Sequence, residues 1–131
     1  MDINIHANAP EPVYEQIVRQ IHEAVKSGRL KPGTPLPTVR QLAGDLDINR
    51  NTVARAYRIL EDQGVTQTAG RKGTFIRQGA AREVAHVATT RAERVMRRVV
   101  KTLAGEGLSR KQITDIFTIA LGIEARKGTA P

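Results

Sequence analysis

The sequence contains no cysteine, no tryptophan, and only two phenylalanines and two tyrosines among its 131 residues. The lack of cysteine excludes disulfides, zinc ribbons and thiol chemistry. The scarcity of aromatic rings disfavours the common single-strand and RNA-binding modules, because those modules stack bases on aromatic side chains. If the chain binds a nucleic acid, we therefore expect duplex DNA.

Long apolar runs are also missing. The longest uncharged apolar stretches are a few residues, whereas a bilayer-crossing helix needs roughly 20. Residues 1–4 do not form a basic stretch followed by an apolar one, so no secretory signal is predicted. We expect a cytoplasmic protein with no membrane partner.

Residue patterns typical of catalysis and metal binding are absent from the sequence. His6, His22 and His86 lie far apart, without acidic or histidine neighbours at metal-ligand spacing. No serine, histidine and acid arrangement, phosphate-cradling glycine loop or pair of carboxylates in an evident cleft is recognisable. We expect neither an enzyme, nor a metal site, nor a cofactor.

Basic residues are abundant and unevenly placed. Lysine and arginine number 21 against 13 acidic residues, a formal net charge of +8, which attracts polyanions. Residues 1–48 are nearly balanced, whereas residues 49–77 carry six basic and two acidic side chains. The basic excess therefore begins near residue 49.

Apolar spacing and capping residues predict three short helices in the first part of the chain. Apolar residues at three- and four-residue steps from Val13 to Val25 indicate the first helix. Thr38 and Gln41 have the spacing of a capping box for a second helix. Asn49 is a suitable N-cap for a third. The second and third helices thus meet across a turn of about three residues.

The third helix is expected to have an apolar and a basic face. At 100° per residue, the apolar arc contains Val53, Ala56, Tyr57 and Leu60. The opposite arc carries the polar and basic side chains Asn51, Arg55 and Arg58, together with Ala54. After the helix, residues 65–68 and 74–77 are β-prone runs around a basic, glycine-flexible tip at residues 69–73.

These elements predict a mainly α fold with a small β hairpin. Residues 1–78 are expected to form a winged helix-turn-helix DNA-binding domain, and residues 79–131 a two-helix hairpin. A major groove about 12 Å wide admits one helix, while a β hairpin reaches a neighbouring groove. Each part would supply a different contact to duplex DNA.

The second part carries two wide apolar stripes, on helices predicted over residues 82–103 and 113–123. Stripes this wide cannot be hidden in a single antiparallel hairpin. An equivalent hairpin on a second copy is the simplest cover, and packing against the winged helix of the same chain is the alternative. The predicted dimer interface comprises Val95, Val99, Leu103, Ile113, Ile116, Phe117 and Ala120.

Over roughly residues 10–77 the sequence resembles the GntR family of bacterial transcriptional regulators. The matching segments are Pro12-Val13-Tyr14, Gly28-Arg29-Leu30-Lys31-Pro32-Gly33, Leu36-Pro37-Thr38-Val39-Arg40-Gln41-Leu42-Ala43, Arg50-Asn51-Thr52-Val53, Leu60-Glu61 with Gly64, and Gly73-Thr74-Phe75-Ile76. The resemblance implies a dimer on a pseudo-palindromic operator, with each protomer binding one half-site.

The resemblance also implies which residues contact DNA. The positions that match the family's contacts are Arg40, Arg50, Thr52, Arg71, Lys72 and Gly73. Asn51, beside Arg50, is expected to share in reading base edges. Some members have a further arginine where this chain has Ala54, and Arg55 is the candidate substitute.

The short second part is similar to that of the YtrA subfamily, whose helical hairpin serves in dimerisation. This similarity implies regulation of a transporter operon and of its own gene. A repressor is expected, because occupying a promoter needs no further surface. A non-specific architectural DNA-binding protein is the alternative. Another basic face, formed by Arg91, Arg94, Arg98 and Lys101, is interpreted as a solvated surface, with a phosphate-contacting shoulder or an acidic partner site as alternatives.

Overall fold

The computed structural model describes residues 1–128, with side chains up to Ile123. In chain order the elements are α1 (Val13–Lys26), α2 (Val39–Leu46), α3 (Arg50–Asp62), β1 (Thr66–Thr68), β2 (Thr74–Ile76), α4 (Ala80–Gly105) and α5 (Arg110–Gly128). A short 3-10 turn, Gly70–Lys72, lies between β1 and β2. The predicted mainly α architecture with a small hairpin is confirmed.

The chain divides into two compact units, Met1–Ala88 and a second that begins at Thr89. The first unit contains one apolar core, in which α3 packs against both α1 and α2. Its largest fully buried apolar side chains are Ile17, Ile21, Val53, Leu60, Val65 and Ile76. Each of these lies on the apolar face of its helix or in the hairpin, as the spacing predicts.

Local side chains fix where the helices begin. Thr38 and Gln41 form the predicted capping box, with the Thr38 hydroxyl accepting from the Gln41 N–H at 3.0 Å and the Gln41 amide oxygen accepting from the Thr38 N–H at 2.9 Å. The Asn49 side-chain oxygen accepts the Asn51 N–H at 2.7 Å and caps α3. Between these helices Asp47 adopts φ 53°, a left-handed conformation that aspartate tolerates better than most residues.

The wing is a three-segment sheet rather than an isolated hairpin. β1 pairs antiparallel with β2, with Thr66 opposite Ile76 and Thr68 opposite Thr74. On the other side of β2, the Gly33 N–H donates to the Ile76 carbonyl at 2.7 Å and the Leu36 N–H to the Thr74 carbonyl at 2.8 Å. The extended residues 33–36 therefore tie the wing to the turn before α2.

An N-terminal arm, residues 1–12, is held on α1 by two glutamines one helical turn apart. The Gln16 side chain, 1% exposed, accepts the His6 N–H at 2.9 Å and donates to the carbonyls of His6 and Glu11. Gln20 accepts the Asn4 N–H at 2.9 Å and donates to the Asn4 carbonyl at 2.7 Å. The arm is thus bound through its main chain at Asn4 and His6, while the side chains of Ile3 and Ile5 pack on the core.

α4 begins at Ala80, two residues before the apolar stripe that predicted it. Gly79, at φ +82°, turns the chain, and the Ala80 N–H donates to the Arg77 carbonyl. Ala80 and Val84 then enter the core of the first unit, which explains the earlier start. Within the described residues, no helix is both long and apolar enough to cross a membrane.

The second unit contains the rest of α4 and α5. Gly107, at φ +93°, closes α4, and the Leu108 N–H donates to the Leu103 carbonyl. A second capping box then starts α5: the Ser109 hydroxyl accepts the Gln112 N–H at 3.2 Å, and the Gln112 side chain accepts the Ser109 N–H at 2.8 Å. The predicted pair of helices separated by a glycine-containing turn is confirmed.

Candidate nucleic-acid interface

α3 separates an apolar from a basic face, as its sequence predicts. Val53, Ala56 and Leu60 are fully buried, and Tyr57 is nearly so. On the opposite face the exposed side chains are Arg50, Asn51, Arg55 and Arg58, with Thr52 half-buried in the first turn. The helix therefore presents a continuous polar and basic surface along its outer side.

A buried tyrosine links this helix to the start of α2. The Tyr57 hydroxyl donates to the Pro37 carbonyl at 2.7 Å, immediately before the cap of α2. Burial raises the pKa of the Tyr57 phenol, so the hydroxyl keeps its proton and remains a donor. Arg40, exposed in the first turn of α2, is thus carried by a helix start that is fixed relative to α3.

Arg55 is paired with an aromatic ring of another helix. Its guanidinium carbon lies 3.9 Å above the centroid of the Tyr14 ring, which belongs to the first turns of α1. Tyr14 is half-buried and packs against the core, whereas Arg55 is exposed. The guanidinium is therefore stacked on a fixed platform at the side of the basic face.

The wing tip presents two basic side chains on a tightly turned backbone. Gly70 and Gly73 have φ +48° and +73°, conformations that favour glycine, and the Gly73 carbonyl accepts the Ala69 N–H at 3.0 Å. Between the two glycines, Arg71 and Lys72 lie exposed in the 3-10 turn. The predicted basic tip thus contains a short 3-10 turn.

The wing is also joined directly to α3. A carboxylate oxygen of Glu61, in the last turn of α3, accepts the Thr68 N–H of β1 at 3.3 Å. At the same end of the strand, the hydroxyls of Thr68 and Thr74 lie 2.9 Å apart across the hairpin. Glu61 therefore ties the tip end of β1 to α3.

All the predicted DNA-contacting residues lie in the first unit. Arg40 is on α2, Arg50, Asn51, Thr52 and Arg55 are on α3, and Arg71, Lys72 and Gly73 are at the wing tip. From the sequence, Tyr57 is expected on the apolar face of α3, and Tyr14 and Glu61 are named only as part of segments that match the family. Nothing in their local spacing indicates the partners that the fold gives them, because those partners belong to other elements.

The predicted dimer-interface residues lie in the second unit and differ in exposure. Ile113 is buried, and Leu103 and Phe117 are half-buried. Val95 and Ile116 are 48% and 44% exposed, and Val99 and Ala120 are exposed as well. Other large apolar side chains exposed on the same two helices are Met96, Val100, Ile119, Leu121 and Ile123.

A further basic face lies on α4, and its role stays a prediction. Arg91, Arg94, Arg98 and Lys101 are all exposed on α4. Among the residues whose side chains are described, no group of three or more histidine and acidic residues is arranged to hold a metal ion. The basic surface of α2, α3 and the wing is the candidate interface.

The arrangement of helix, turn, helix and basic wing defines a winged helix-turn-helix protein. Residues 13–76 match the family described as bacterial regulatory proteins, gntR family. The chain is 36% identical to a solved GntR-family transcription factor, YtrA from Sulfolobus acidocaldarius, over 69% of this chain and 95% of that one, with a TM-score of 0.56. The chain belongs to the GntR family.

Other relatives extend the comparison. The chain is 49% identical to the HTH-type transcriptional regulator Rv1152 of Mycobacterium tuberculosis and 42% identical to the HTH-type transcriptional repressor YtrA of Bacillus subtilis. The matches span 56% and 60% of this chain, and only 61% and 60% of those relatives. A solved transcriptional regulator from Oenococcus oeni is 34% identical over 89% of this chain and 97% of its own, with a TM-score of 0.66.

Proposed function

We propose that the protein is a sequence-specific DNA-binding transcriptional repressor that acts as a homodimer on a pseudo-palindromic operator. The observation that carries the proposal is the basic outer face of α3, whose first turn exposes Arg50 and Asn51. The start of α2 is joined to α3 by the hydrogen bond from Tyr57 to the Pro37 carbonyl. Family membership supports DNA binding, and a repressor among the similar proteins supports repression.

In this proposal each element makes a different contact. Arg50, Asn51 and Thr52 read base edges in the major groove, since the first turn of a helix lying there faces the bases. Arg40 fixes the helix against a phosphate or a guanine. Arg71 and Lys72, with the close backbone approach allowed by Gly73, bring the wing tip to the adjacent groove.

The homodimer follows from the uncovered apolar side chains of α4 and α5. A second copy of the same surface would cover Val95, Val99 and Ile116, together with the other predicted interface residues. A two-fold dimer presents two recognition helices, which explains a pseudo-palindromic operator. Occupying a promoter in this way blocks transcription with no further surface.

The proposed targets are a transporter operon and the protein's own gene, with the protein acting in the cytoplasm. We propose no enzymatic activity and no cofactor, because the candidate interface contains basic, amide and hydroxyl side chains suited to binding rather than to proton or group transfer.

A binding titration tests the proposal. The protein is titrated against duplex DNA from upstream of its own gene and against a shuffled duplex of equal composition, at two salt concentrations. We expect at least about a thousandfold preference for the native duplex, the range of specific binders. Near-equal and steeply salt-dependent binding to both duplexes would instead support a non-specific architectural protein.

A further inference from the structure

We propose that Tyr14 is a positioning residue for DNA binding, and that its ring holds the guanidinium of Arg55 ready to bind a phosphate beside the major groove. The inference rests on the proposed function, because it assigns a role within the same interface. Tyr14 lies on α1, outside the elements predicted to contact DNA.

The side chain of Tyr14 has less conformational freedom than that of Arg55. Tyr14 is half-buried against the core on α1, and α1 packs against α3, so the ring is fixed by the fold. Arg55 is exposed, and an exposed arginine without a partner samples many rotamers. Stacking at 3.9 Å over the ring restricts those rotamers before DNA arrives.

Stacking also leaves the donors of the guanidinium available. The planar guanidinium presents its face to an aromatic ring and its N–H groups around its edge, so one arginine can stack and donate at the same time. The carboxylate of Glu15, beside Tyr14 on α1, accepts the Tyr14 hydroxyl at 3.2 Å. The edge of the guanidinium is thus suited to the two oxygens of a phosphate.

The position of the Arg55 guanidinium favours contact with a phosphate over contact with a base. Asn51, Arg55 and Arg58 share the outer face of α3, but the guanidinium of Arg55 lies over α1. A side chain held against the neighbouring helix is displaced from the first turn of α3, where Arg50 and Asn51 lie. We therefore assign to Arg55 a backbone contact that raises affinity without reading sequence.

A double-mutant cycle tests the proposal. The variants are Tyr14→Leu, Tyr14→Phe, Arg55→Gln and the double variant Tyr14→Leu with Arg55→Gln. The probes are a duplex that the wild-type protein selects from a random library and an unselected duplex. Thermal midpoints are measured for every variant.

We expect Tyr14→Leu to weaken binding to both duplexes by about two- to fivefold, and Tyr14→Phe to bind like the wild type because it keeps the ring. Arg55→Gln should reduce the slope of log affinity against log salt by about 0.9, as loss of one phosphate contact requires. In the Arg55→Gln background, Tyr14→Leu should have no further effect.

An equal effect of Tyr14→Leu with and without Arg55 would overturn the proposal, as would an unchanged salt slope in Arg55→Gln. If Tyr14→Leu does not fold, the second non-aromatic variant, Tyr14→Met, takes its place. A ring-current shift of the Arg55 protons, present in wild type and Tyr14→Phe, checks the pairing without DNA, and its absence also counts against the proposal.

The failure of this inference and that of the proposed function are distinguishable. A wild-type protein that selects no sequence contradicts the proposed function, yet the cycle on the unselected duplex still measures the coupling. A protein that selects an operator and loses that preference in Arg50→Ala, but shows no coupling between Tyr14 and Arg55, contradicts this inference alone.

Discussion

Arg50 occupies the first position of α3, directly after its asparagine cap, with its side chain exposed. We expect Arg50→Ala to cost about 1–3 kcal/mol on the operator and less on a shuffled duplex, since a base contact is lost only where the base is present. Comparing dissociation constants on the two duplexes checks this, with Arg97→Ala, on α4 of the second unit, as the control. Equal losses on both duplexes would mean that Arg50 contacts phosphate only.

Thr66 carries a hydroxyl that the fold leaves unsatisfied. Its oxygen is buried and has no hydrogen-bond partner among the described residues, on a side chain that is 2% exposed. Because burying a lone polar group is unfavourable, we expect Thr66→Val to increase the free energy of unfolding by about 1 kcal/mol. Urea unfolding of the two proteins measures this change in the free energy of unfolding.

Thr66→Ser is the matched control for that substitution. It keeps the hydroxyl and removes a buried methyl group, so we expect lower stability than the wild type. A Thr66→Val variant less stable than the wild type would instead indicate that the hydroxyl has a partner in solution.

For single residues, the sequence predicts an interaction when the two partners are close together in the chain. The capping pair of Thr38 and Gln41 is encoded within four positions, and the structure confirms it. The stacking of Arg55 on Tyr14 depends on how α1 crosses α3, a property of the whole core. Periodicity places Arg55 on the outer face but contains no information about its partner.

Among the elements, α3 contacts the tip end of β1 through the carboxylate of Glu61. We expect Glu61→Ala to weaken DNA binding by about threefold, because the Thr68 N–H loses its acceptor and the wing tip becomes less constrained. Glu61→Gln, which keeps an acceptor oxygen at the same position, should retain most of the affinity. Asp62→Ala, at the adjoining position of α3, controls for the loss of negative charge.

The affinity change in Glu61→Ala should also disappear when the wing tip is neutralised. In a protein carrying Arg71→Gln and Lys72→Gln, we expect Glu61→Ala to have little further effect on the dissociation constant. A persistent loss in that background would mean that Glu61 acts on α3 rather than on the wing.

The boundaries of a helix or strand could be predicted where residues of that same element determine them. The apolar spacing of α1, α2 and α3 and their caps places these helices close to the observed positions. α4 starts earlier than its stripe because Ala80 packs into a core built by other helices. The pairing of β2 with residues 33–36 joins segments far apart in the chain, and no local pattern specifies it.

For the whole molecule, the apolar side chains of α4 and α5 predict self-association. We expect Val99→Glu to shift the protein from dimer to monomer, since a charge would be buried without a partner in the proposed interface. Sedimentation velocity over a range of concentrations measures the change. Thr90→Glu, exposed on the opposite side of the same helix, is the control and should remain dimeric.

The same two variants should also differ in their affinity for operator DNA. A Val99→Glu protein that binds its operator only as separate half-sites would lose most of its affinity at low concentration, whereas Thr90→Glu would not. A Val99→Glu protein that stays dimeric would place the interface elsewhere. At this scale the sequence predicted two functional parts, but not the N-terminal arm, whose contacts with the glutamines of α1 and with the core join segments that no local pattern connects.

The hydrogen bonds that hold the arm at residues 4 and 6 do not depend on which side chains stand there. Gln16 and Gln20 bind the main chain of His6 and Asn4, so residues 4 and 6 are free to drift while the arm keeps its path. Gln16 itself is constrained, because its buried amide satisfies three backbone groups at once. A saturation library scored for folded protein should accept many residues at positions 4 and 6, proline excepted, and few at position 16.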